Sequence, residues 1–178
     1  MHALCQLNVT ELPYRPPRLD DIEFITVFIG PNKIPSSDES NGTNWCLRAY
    51  RDLNMLVPLP PVSTGTWIEA FPMRPSAVDD DYPIHDDLPV AVPNEILGDY
   101  YDHFCNVNGF KLGGWPTLIQ SEICWAPWNK HPIRPEYVFQ IDSVAKAKWM
   151  WGANGVAYFG RGTTEEHLDE WAFAWQCF

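Results

Sequence analysis

The sequence predicts an α+β fold that is rich in β-strand, has two similar halves and carries short helices at its periphery. Three observations lead to this prediction. Several short segments have the apolar patterning of β-strands. Helical periodicity is confined to residues 92–104 and to a short segment that begins at Thr163. The chain also echoes itself, because LCQLNV near its start resembles VFQIDSV at 138–144, and each is followed by an aromatic strand that ends in glycine.

Seven segments are predicted to be strands from their apolar patterning: 2–8, 22–30, 45–51, 66–71, 137–141, 156–160 and 171–178. In the second segment both alternating sets contain apolar residues, so we expect both faces of that strand to be buried. In the last segment bulky and small residues alternate. Trp171 and Phe173 lie on one face there, and Ala172 and Ala174 lie on the other.

The helix predicted at 92–104 has two distinct faces. Its apolar side chains share one face: Ile96, Leu97, Tyr100, Tyr101 and Phe104. Another face carries an acidic stripe formed by Glu95, Asp99 and Asp102. A second, short helix is predicted from the capping-box pattern at 163–166.

The length of 178 residues fits a single domain. We expect one domain over residues 1–178, with weakly similar halves at 1–74 and 109–178 joined by an acidic segment at 75–108. The balance of hydrophobic residues, 46%, and charged residues, 20%, is that of a folded chain and argues against disorder throughout.

Negative charge is concentrated in one part of the chain. The net charge is −11, and residues 75–110 contain eight acidic residues but neither Lys nor Arg, which leaves −3 on the other 142 residues. Such a protein lacks the basic stripe that nucleic acids require, and an anionic membrane surface repels it. A basic protein is its electrostatic complement, whereas solubility alone does not require clustered acids.

Residue usage also indicates a compartment. The first residues lack the charged and apolar regions of a signal peptide, and no apolar run approaches the roughly 20 residues that span a bilayer. The five cysteines are odd in number and widely spaced, which is typical of reduced thiols in a cytoplasmic protein. Cys105 and Cys124 are expected to be buried thiols.

No motif for catalysis, cofactor binding or metal binding is present, so no catalytic residue, cofactor or metal is predicted. The patterns of serine hydrolases, zinc proteases, phosphate loops and dinucleotide sites are missing, and the five histidines lack a partner at metal-ligand spacing. Gly113 and Gly114 precede Trp-Pro and are predicted to form a tight turn. Gly152 and Gly155 are predicted to allow a hairpin turn with positive φ.

Two clusters are candidates for contact with another molecule. The acids around DDDYPIHDD form either a solvated loop, a cation site or a docking surface. Trp125 and Trp128 lie in the Pro-containing loop CWAPWNKHP and are predicted to be exposed interface anchors. The other tryptophans of the second half are expected in the core: Trp115, Trp149, Trp151, Trp171 and Trp175.

Four segments carry a family resemblance: KLGGWPTLIQ, EYVFQIDSV, WMWGANGVAYF and the closing HLDEWAFAWQCF. They resemble the YwqG-like family of bacterial proteins, whose pattern is a Gly-Gly-aromatic-Pro segment with a following Gln, a Gln-Ile-Asp strand, and a Trp-Gly-Asp/Asn-x-Gly turn before an aromatic strand. LCQLNVTELP resembles the first Gln-Ile-Asn strand of that family. The resemblance implies a mixed α+β fold with an internal duplication and no catalytic motif. Asn154 stands where that family commonly has Asp.

The resemblance also implies two biological contexts. Some bacterial members of this kind of family lie beside secreted toxins as immunity proteins. A more distant similarity links the chain to a eukaryotic programmed-cell-death family that chaperones a ribosomal protein.

The leading hypothesis is an immunity-type protein that binds a cognate basic toxin, for example a nuclease, and neutralises it by occlusion without chemistry of its own. The predicted partner-binding residues are Asp79, Asp80, Asp81, Asp86, Asp87, Glu95, Asp99, Asp102, Trp125 and Trp128. The alternative is a chaperone-like or adaptor module for a basic endogenous protein. A third hypothesis is an enzyme or small-ligand binder, in which Gln120, Gln140 and Asp142 converge on a ligand instead of satisfying backbone groups at strand ends.

Overall fold

Two antiparallel sheets form the framework of the protein. A computed structural model describes residues 1–60, 65–84, 88, 90–125 and 135–178. Sheet A has the order β1-β2-β3 and sheet B the order β4-β5-β6-β7. The strands are β1 (His2–Asn8), β2 (Phe24–Ile29), β3 (Trp45–Tyr50), β4 (Lys111–Leu112), β5 (Glu136–Asp142), β6 (Val156–Arg161) and β7 (Trp171–Gln176).

Helical structure is short and lies outside the sheets. Within the described residues the α-helix is α1 (Leu97–His103), which follows a 3-10 turn at Asn94–Ile96. Further 3-10 turns lie at Val9–Glu11, Pro17–Leu19, Leu53–Met55, Ala145–Ala147 and Glu165–His167. The prediction of a β-rich α+β fold with short helices is confirmed. The capping box is only partly right, since Thr164 precedes the last turn but its side chain makes no capping hydrogen bond.

Two strand predictions differ from the structure. The strand predicted at 66–71 is wrong, because this segment is irregular and lies beside the turn after β5. There the Glu69 amide donates to the Ala147 carbonyl over 2.9 Å, and the Lys146 ammonium lies 4.7 Å from the Phe71 ring centroid. Strand β4 was not predicted, because two residues are too few to show a period.

One hydrophobic core draws on both sheets. Trp45 at the start of β3 is fully buried and stacks on Phe173 of β7, with ring centroids 5.2 Å apart. Phe159 of β6 stacks on Phe139 of β5 at 4.6 Å. Aromatic rings therefore fill the core through the offset and edge contacts that they prefer. Of the tryptophans predicted to be buried, Trp115 is the exception, with 45% of its surface exposed.

A second, smaller cluster covers the other face of sheet B. Val156, Tyr158 and Ala174 pack there against apolar side chains of the segment 117–125. Both faces of β6 and most of β7 are consequently buried. Sheet A is covered less completely, and the prediction that both faces of β2 are buried is wrong, because alternate residues of β2 are only partly buried.

Polar contacts join the first part of the chain to sheet B. The buried Arg161 side chain donates from Nη1 and Nη2 to the two carboxylate oxygens of Asp21 over 2.6 and 2.8 Å. Arg18 donates from Nη2 to the carbonyls of Arg161 and Gly162 over 2.9 and 2.6 Å. Bidentate pairs of this kind are the strongest hydrogen-bonded ion pairs in proteins.

This Asp21–Arg161 pair predicts how stability depends on pH. Hydrogen bonds from Arg161, and also from Arg51, hold the pKa of the Asp21 carboxyl well below its ordinary range. Because the folded-state pKa is lowered, the contribution of the pair is fully present above the ordinary aspartate pKa near ~4 and is lost as the pH falls below it. The difference in free energy of unfolding between the parent and Asp21→Asn should therefore shrink from about pH 5 to about pH 2. Urea titrations at several pH values measure it.

Asp20→Asn is the control, since Asp20 is an exposed neighbour of Asp21. It should follow the parental pH dependence. A constant difference between the parent and Asp21→Asn across this range would contradict the prediction.

The two similar halves and the boundaries at 74 and 109 stay predictions. Strands β1-β2-β3 and β5-β6-β7 are both antiparallel meanders, and the echoed sequence segments lie at the first strand of each.

Candidate functional site

The acidic segment lies against helix α1. Tyr82 donates from its amide to the Cys105 carbonyl over 3.2 Å, and its carbonyl accepts from Asn106 Nδ2 over 2.8 Å. The Tyr100 hydroxyl donates to the Pro83 carbonyl over 2.7 Å. The Tyr82 ring also meets the Phe104 ring edge to face, with centroids 4.9 Å apart. These contacts bring the acidic loop and the helix together, as the predicted docking surface requires.

Five of the eight predicted acids are exposed on these two neighbouring segments, and we call them the acidic face: Asp79, Asp80, Glu95, Asp99 and Asp102. Neither Lys nor Arg occurs between residues 75 and 110. The nearest basic side chain in sequence after this stretch, Lys111, is committed to an internal ion pair described below. The predicted Asp86 and Asp87 lie outside the described residues.

Helix α1 leaves its apolar side chains largely uncovered. It contains no buried residue and its Tyr101 is 48% exposed, and the flanking Ile96 and Phe104 are 50% and 40% exposed. A surface helix of a globular protein usually buries an apolar stripe against the core. The acidic face is thus accompanied by exposed apolar and aromatic surface, which is the composition of interfaces more than of ordinary protein surface.

Asp81 has a structural position and does not belong to the acidic face. Its carboxylate accepts hydrogen bonds from the amides of Val107 and Trp115 over 2.7 and 2.8 Å, and it pairs with Lys111 Nζ over 2.9 Å. Only 12% of its side chain is exposed. Asp81, one of the predicted partner-binding acids, is therefore engaged inside the protein, because two backbone amides and the Lys111 ammonium occupy its carboxylate.

Burial lowers the pKa of the Lys111 ammonium, and the Asp81 carboxylate opposes that shift. The two groups depend on each other, since a charge this deeply buried is tolerated only when it is paired. The pair fixes one end of the acidic loop to the start of sheet B.

The predicted tight turn at Gly113 and Gly114 is confirmed, and it leaves room for the Asp81 carboxylate. Both glycines have positive φ, +73° and +67°. A Cβ atom on Gly114 would lie 2.2 Å from Asp81 Oδ2. The turn therefore needs glycine both for its backbone conformation and for the close approach of the carboxylate.

The structure corrects the predicted burial of one tryptophan and of two cysteines. Trp125 is partly buried, and a Cβ on Gly160 of β6 would lie 2.9 Å from its ring, so the prediction of an exposed Trp125 anchor is corrected to a packed ring. Trp128 lies outside the described residues.

Cys105 and Cys124 are exposed, so the prediction that they are buried thiols is wrong. Cys5, Cys46, Cys105 and Cys177 are free thiols in the structure.

Gln140 does not line a ligand site, because its amide is fully used inside the protein. It is completely buried, its Oε1 accepts from the Thr117 amide over 2.8 Å, and its Nε2 donates to the Gly109 carbonyl and the Thr117 hydroxyl over 2.8 and 3.1 Å. Gln120 is exposed and donates to the Cys177 carbonyl over 2.6 Å, and Asp142 accepts from the Ser143 amide. Each of the three side chains is thus engaged with a different part of the chain, which favours the structural role over the ligand site.

Gln176 in β7 also uses its side-chain amide to bind backbone groups, and the sequence analysis did not identify it. Its Oε1 accepts from the amides of Ile119 and Gln120 over 2.9 and 3.1 Å, and its Nε2 donates to the Ser121 carbonyl over 2.6 Å. Gln140 and Gln176 together hold residues 117–121, which follow β4, against sheet B. The only signal in the sequence is a polar residue at a buried strand position.

Gln140→Leu is expected to lower the free energy of unfolding by about 2 kcal/mol, because it leaves the Thr117 amide and the Gly109 carbonyl buried without partners. Gln120→Leu, at an exposed position, should lower it by less than about 0.5 kcal/mol. Chemical denaturation of both variants measures the difference. Equal values for the two substitutions would contradict this role of Gln140.

A cleft of about 390 Å³ lies between residues 34–37 and the end of β7. Its walls are joined by hydrogen bonds from Trp175 Nε1 to the Pro35 carbonyl over 2.8 Å and from Gln120 to the Cys177 carbonyl. Among the lining residues that the structure describes there is no Lys, Arg, Asp, Glu or His. Within the described ranges, no three His, Cys, Asp or Glu side chains are grouped to hold a metal ion.

None of the helices described has the length and apolarity needed to cross a membrane.

The comparison with protein families gives a match. The model of a family described as a domain of unknown function, DUF1963, matches residues 34–177. The matched region includes the acidic face, the Gly-Gly turn and all of sheet B. No curated protein matches the chain.

Proposed function

We propose that this chain, which belongs to the DUF1963 family of domains of unknown function, is a binding domain for a basic protein partner. The observation that carries the proposal is the acidic face: five exposed acids on two segments that contact each other, within a stretch of 36 residues that has no Lys or Arg. Solubility requires a net charge but not its concentration in one place.

Electrostatics defines what such a face does. Acids on neighbouring segments produce a local negative potential, which raises the rate of association with a basic partner and makes that rate fall with ionic strength. The exposed apolar side chains of α1 beside these acids would add the water-excluding contacts that slow dissociation. Both properties belong to a specific protein interface more than to a solvated loop.

The finer form of the proposal is an immunity-type protein of the YwqG-like kind, which neutralises a cognate basic toxin by occlusion. Toxins that cleave nucleic acids present basic surfaces, because they must bind phosphates. An acidic domain seated on such a surface would block the substrate without chemistry of its own. The chaperone-like or adaptor alternative uses the same charge complementarity toward a basic endogenous protein.

Affinity capture tests the class of partner. The tagged protein is incubated with lysate of its own source cells at low salt, and retained proteins are eluted with increasing salt and identified by mass spectrometry. The proposal expects a single basic protein whose recovery falls when the loading salt is raised. A toxin-like protein supports the immunity form, and a ribosomal or other housekeeping protein supports the alternative. Retention of acidic proteins only, or of none, would contradict both forms.

A further inference from the structure

A groove lies between the acidic loop and the C-terminal end of α1. It has a volume of about 240 Å³ and is lined by Pro83, Ile84, Tyr101, Phe104, Cys105 and Asn106. Its walls are joined by the Tyr100–Pro83 and Tyr82–Cys105 hydrogen bonds and by the ring contact of Tyr82 with Phe104. The groove is therefore already formed in the unbound chain.

The lining of this groove selects apolar groups. Among the described residues that line it, Asn106 supplies the amide side chain, and both ends of that amide are engaged, Nδ2 with the Tyr82 carbonyl over 2.8 Å and Oδ1 with the Thr117 hydroxyl over 2.7 Å. Phe104 and Tyr101 present 40% and 48% of their surfaces to solvent. Covering these rings would release water from apolar area, which favours binding in proportion to the area covered.

The size of the groove favours a side chain over a free metabolite. Sites for small molecules usually measure roughly 300–1000 Å³, and a groove of about 240 Å³ is below that range. Protein interfaces commonly rely on one or two large apolar or aromatic residues that enter such depressions.

The acidic residues near the groove determine which residues can flank the apolar side chain of a partner. Asp99 and Asp102 belong to the same helix as Tyr101, and Glu95 lies in the turn before it. All three acids are exposed, and no Lys or Arg occurs from residue 75 to residue 110. An apolar side chain carried by an acidic segment would be repelled here, whereas one flanked by Lys or Arg would be attracted.

From these observations we infer that the groove binds one large apolar side chain from a Lys- or Arg-rich segment of the partner. This inference rests on the proposed function and adds a division of roles. The acidic face sets the rate of association, and the groove sets the lifetime of the complex. The partner segment is thus amphipathic, with a leucine-like or aromatic residue set among basic ones.

Synthetic peptides test the inference without knowledge of the natural partner. The probes are an 18-residue Lys/Leu peptide with Leu at helical spacing, a Lys/Ser peptide of equal charge, and a Glu/Leu peptide of equal apolarity. Binding is measured by fluorescence anisotropy. The Lys/Leu peptide should bind about tenfold more tightly than the Lys/Ser peptide, because only it can bury an apolar side chain. The Glu/Leu peptide should bind more weakly than either.

Two matched variants locate the site. Cys105→Trp fills the groove at an exposed lining position, and Cys124→Trp makes the same change at an exposed cysteine outside the groove lining. Cys105→Trp should reduce binding of the Lys/Leu peptide to the level of the Lys/Ser peptide, and Cys124→Trp should leave it unchanged. Circular dichroism and the thermal midpoint establish that both variants are folded.

The outcomes separate this inference from the proposed function. Equal binding of the Lys/Leu and Lys/Ser peptides, or unchanged binding in folded Cys105→Trp, would overturn the groove and leave the acidic face intact. Equal binding of the Lys/Leu and Glu/Leu peptides would overturn the basic character of the segment. If neither basic peptide binds, the inference fails, and the capture experiment decides whether the acidic face fails with it.

Discussion

Gly155→Ala is expected to lower the free energy of unfolding by about 3–4 kcal/mol. A Cβ atom at this position would lie 2.0 Å from the Gln176 carbonyl oxygen and 2.4 Å from the Trp151 carbonyl oxygen. Neither oxygen belongs to a flexible side chain. Moving the first would disturb the pairing of Val156 with Gln176 between β6 and β7, and moving the second would break the 2.7 Å hydrogen bond from the Gly155 amide.

Gly98→Ala is the matched control, because nothing lies within 4 Å of a Cβ atom there. Gly98 is in α1, so alanine should raise the free energy of unfolding by about 0.5–1 kcal/mol. Urea denaturation followed by tryptophan fluorescence measures both variants. Similar changes for Gly98→Ala and Gly155→Ala would show that steric contact at Gly155 is not what decides its effect.

Asp81→Ala is expected to release the acidic loop from sheet B. The substitution removes the acceptor of the Val107 and Trp115 amides and leaves the Lys111 ammonium buried without a partner. Removing one member of a buried ion pair costs about 3 kcal/mol or more. The amides of Val107 and Trp115 should consequently exchange with solvent about 100-fold faster than in the parent, as measured by hydrogen exchange with NMR detection.

Asp80→Ala is the control for this experiment. It removes a carboxylate from the adjacent residue, but Asp80 is exposed. Amide exchange at Val107 and Trp115 should stay at the parental rate. If both substitutions accelerated exchange equally, the loss of negative charge and not the specific pair would be responsible.

Prediction from sequence succeeded where a regular period repeats over enough residues. Strand β1 was predicted with its observed bounds, and β6 and β7 within two residues at either end, because apolar residues recur at strand spacing. The segment 66–71 also has strand-like composition, but composition does not supply a neighbouring strand to pair with. Strand β4 is the converse case, since its two residues pair with Phe139 and Gln140 without any visible period.

Burial of individual residues was harder to predict, because it depends on contacts distant in sequence. Asp81 is indistinguishable from Asp79 and Asp80 as part of an acidic run. Contacts some thirty residues later, with Val107, Lys111 and the Gly-Gly turn, make it a buried acceptor. Trp115 was expected in the core but is exposed, and Trp125 was expected on the surface but is packed, for a similar reason. The glycine at position 160 provides the space against which the Trp125 ring packs, and sequence alone does not show that the two residues meet.

The sequence predicted the negative charge of the candidate site but not the exposure of its apolar side chains. A run of acids without Lys or Arg is visible in the sequence, and the helical stripe of Glu95, Asp99 and Asp102 is exposed as expected. The apolar positions of the same helix have a core-like period, yet Ile96 and Tyr101 are about half exposed. Periodicity identifies which side chains share a face, whereas tertiary contacts decide whether another element covers that face.

The rate at which charge-reversed variants associate with the captured partner shows whether the acidic face receives that partner. Asp99→Lys/Asp102→Lys alters the acidic face, and Glu165→Lys/Glu166→Lys makes the same change in net charge at two exposed acids in the last 3-10 turn. We expect the first double variant to associate at least about tenfold more slowly than the parent at low salt, and the second to keep most of the parental rate. The difference between the two rates should close as the salt concentration is raised. Equal rates for the two double variants would contradict the claim that the acidic face receives the partner.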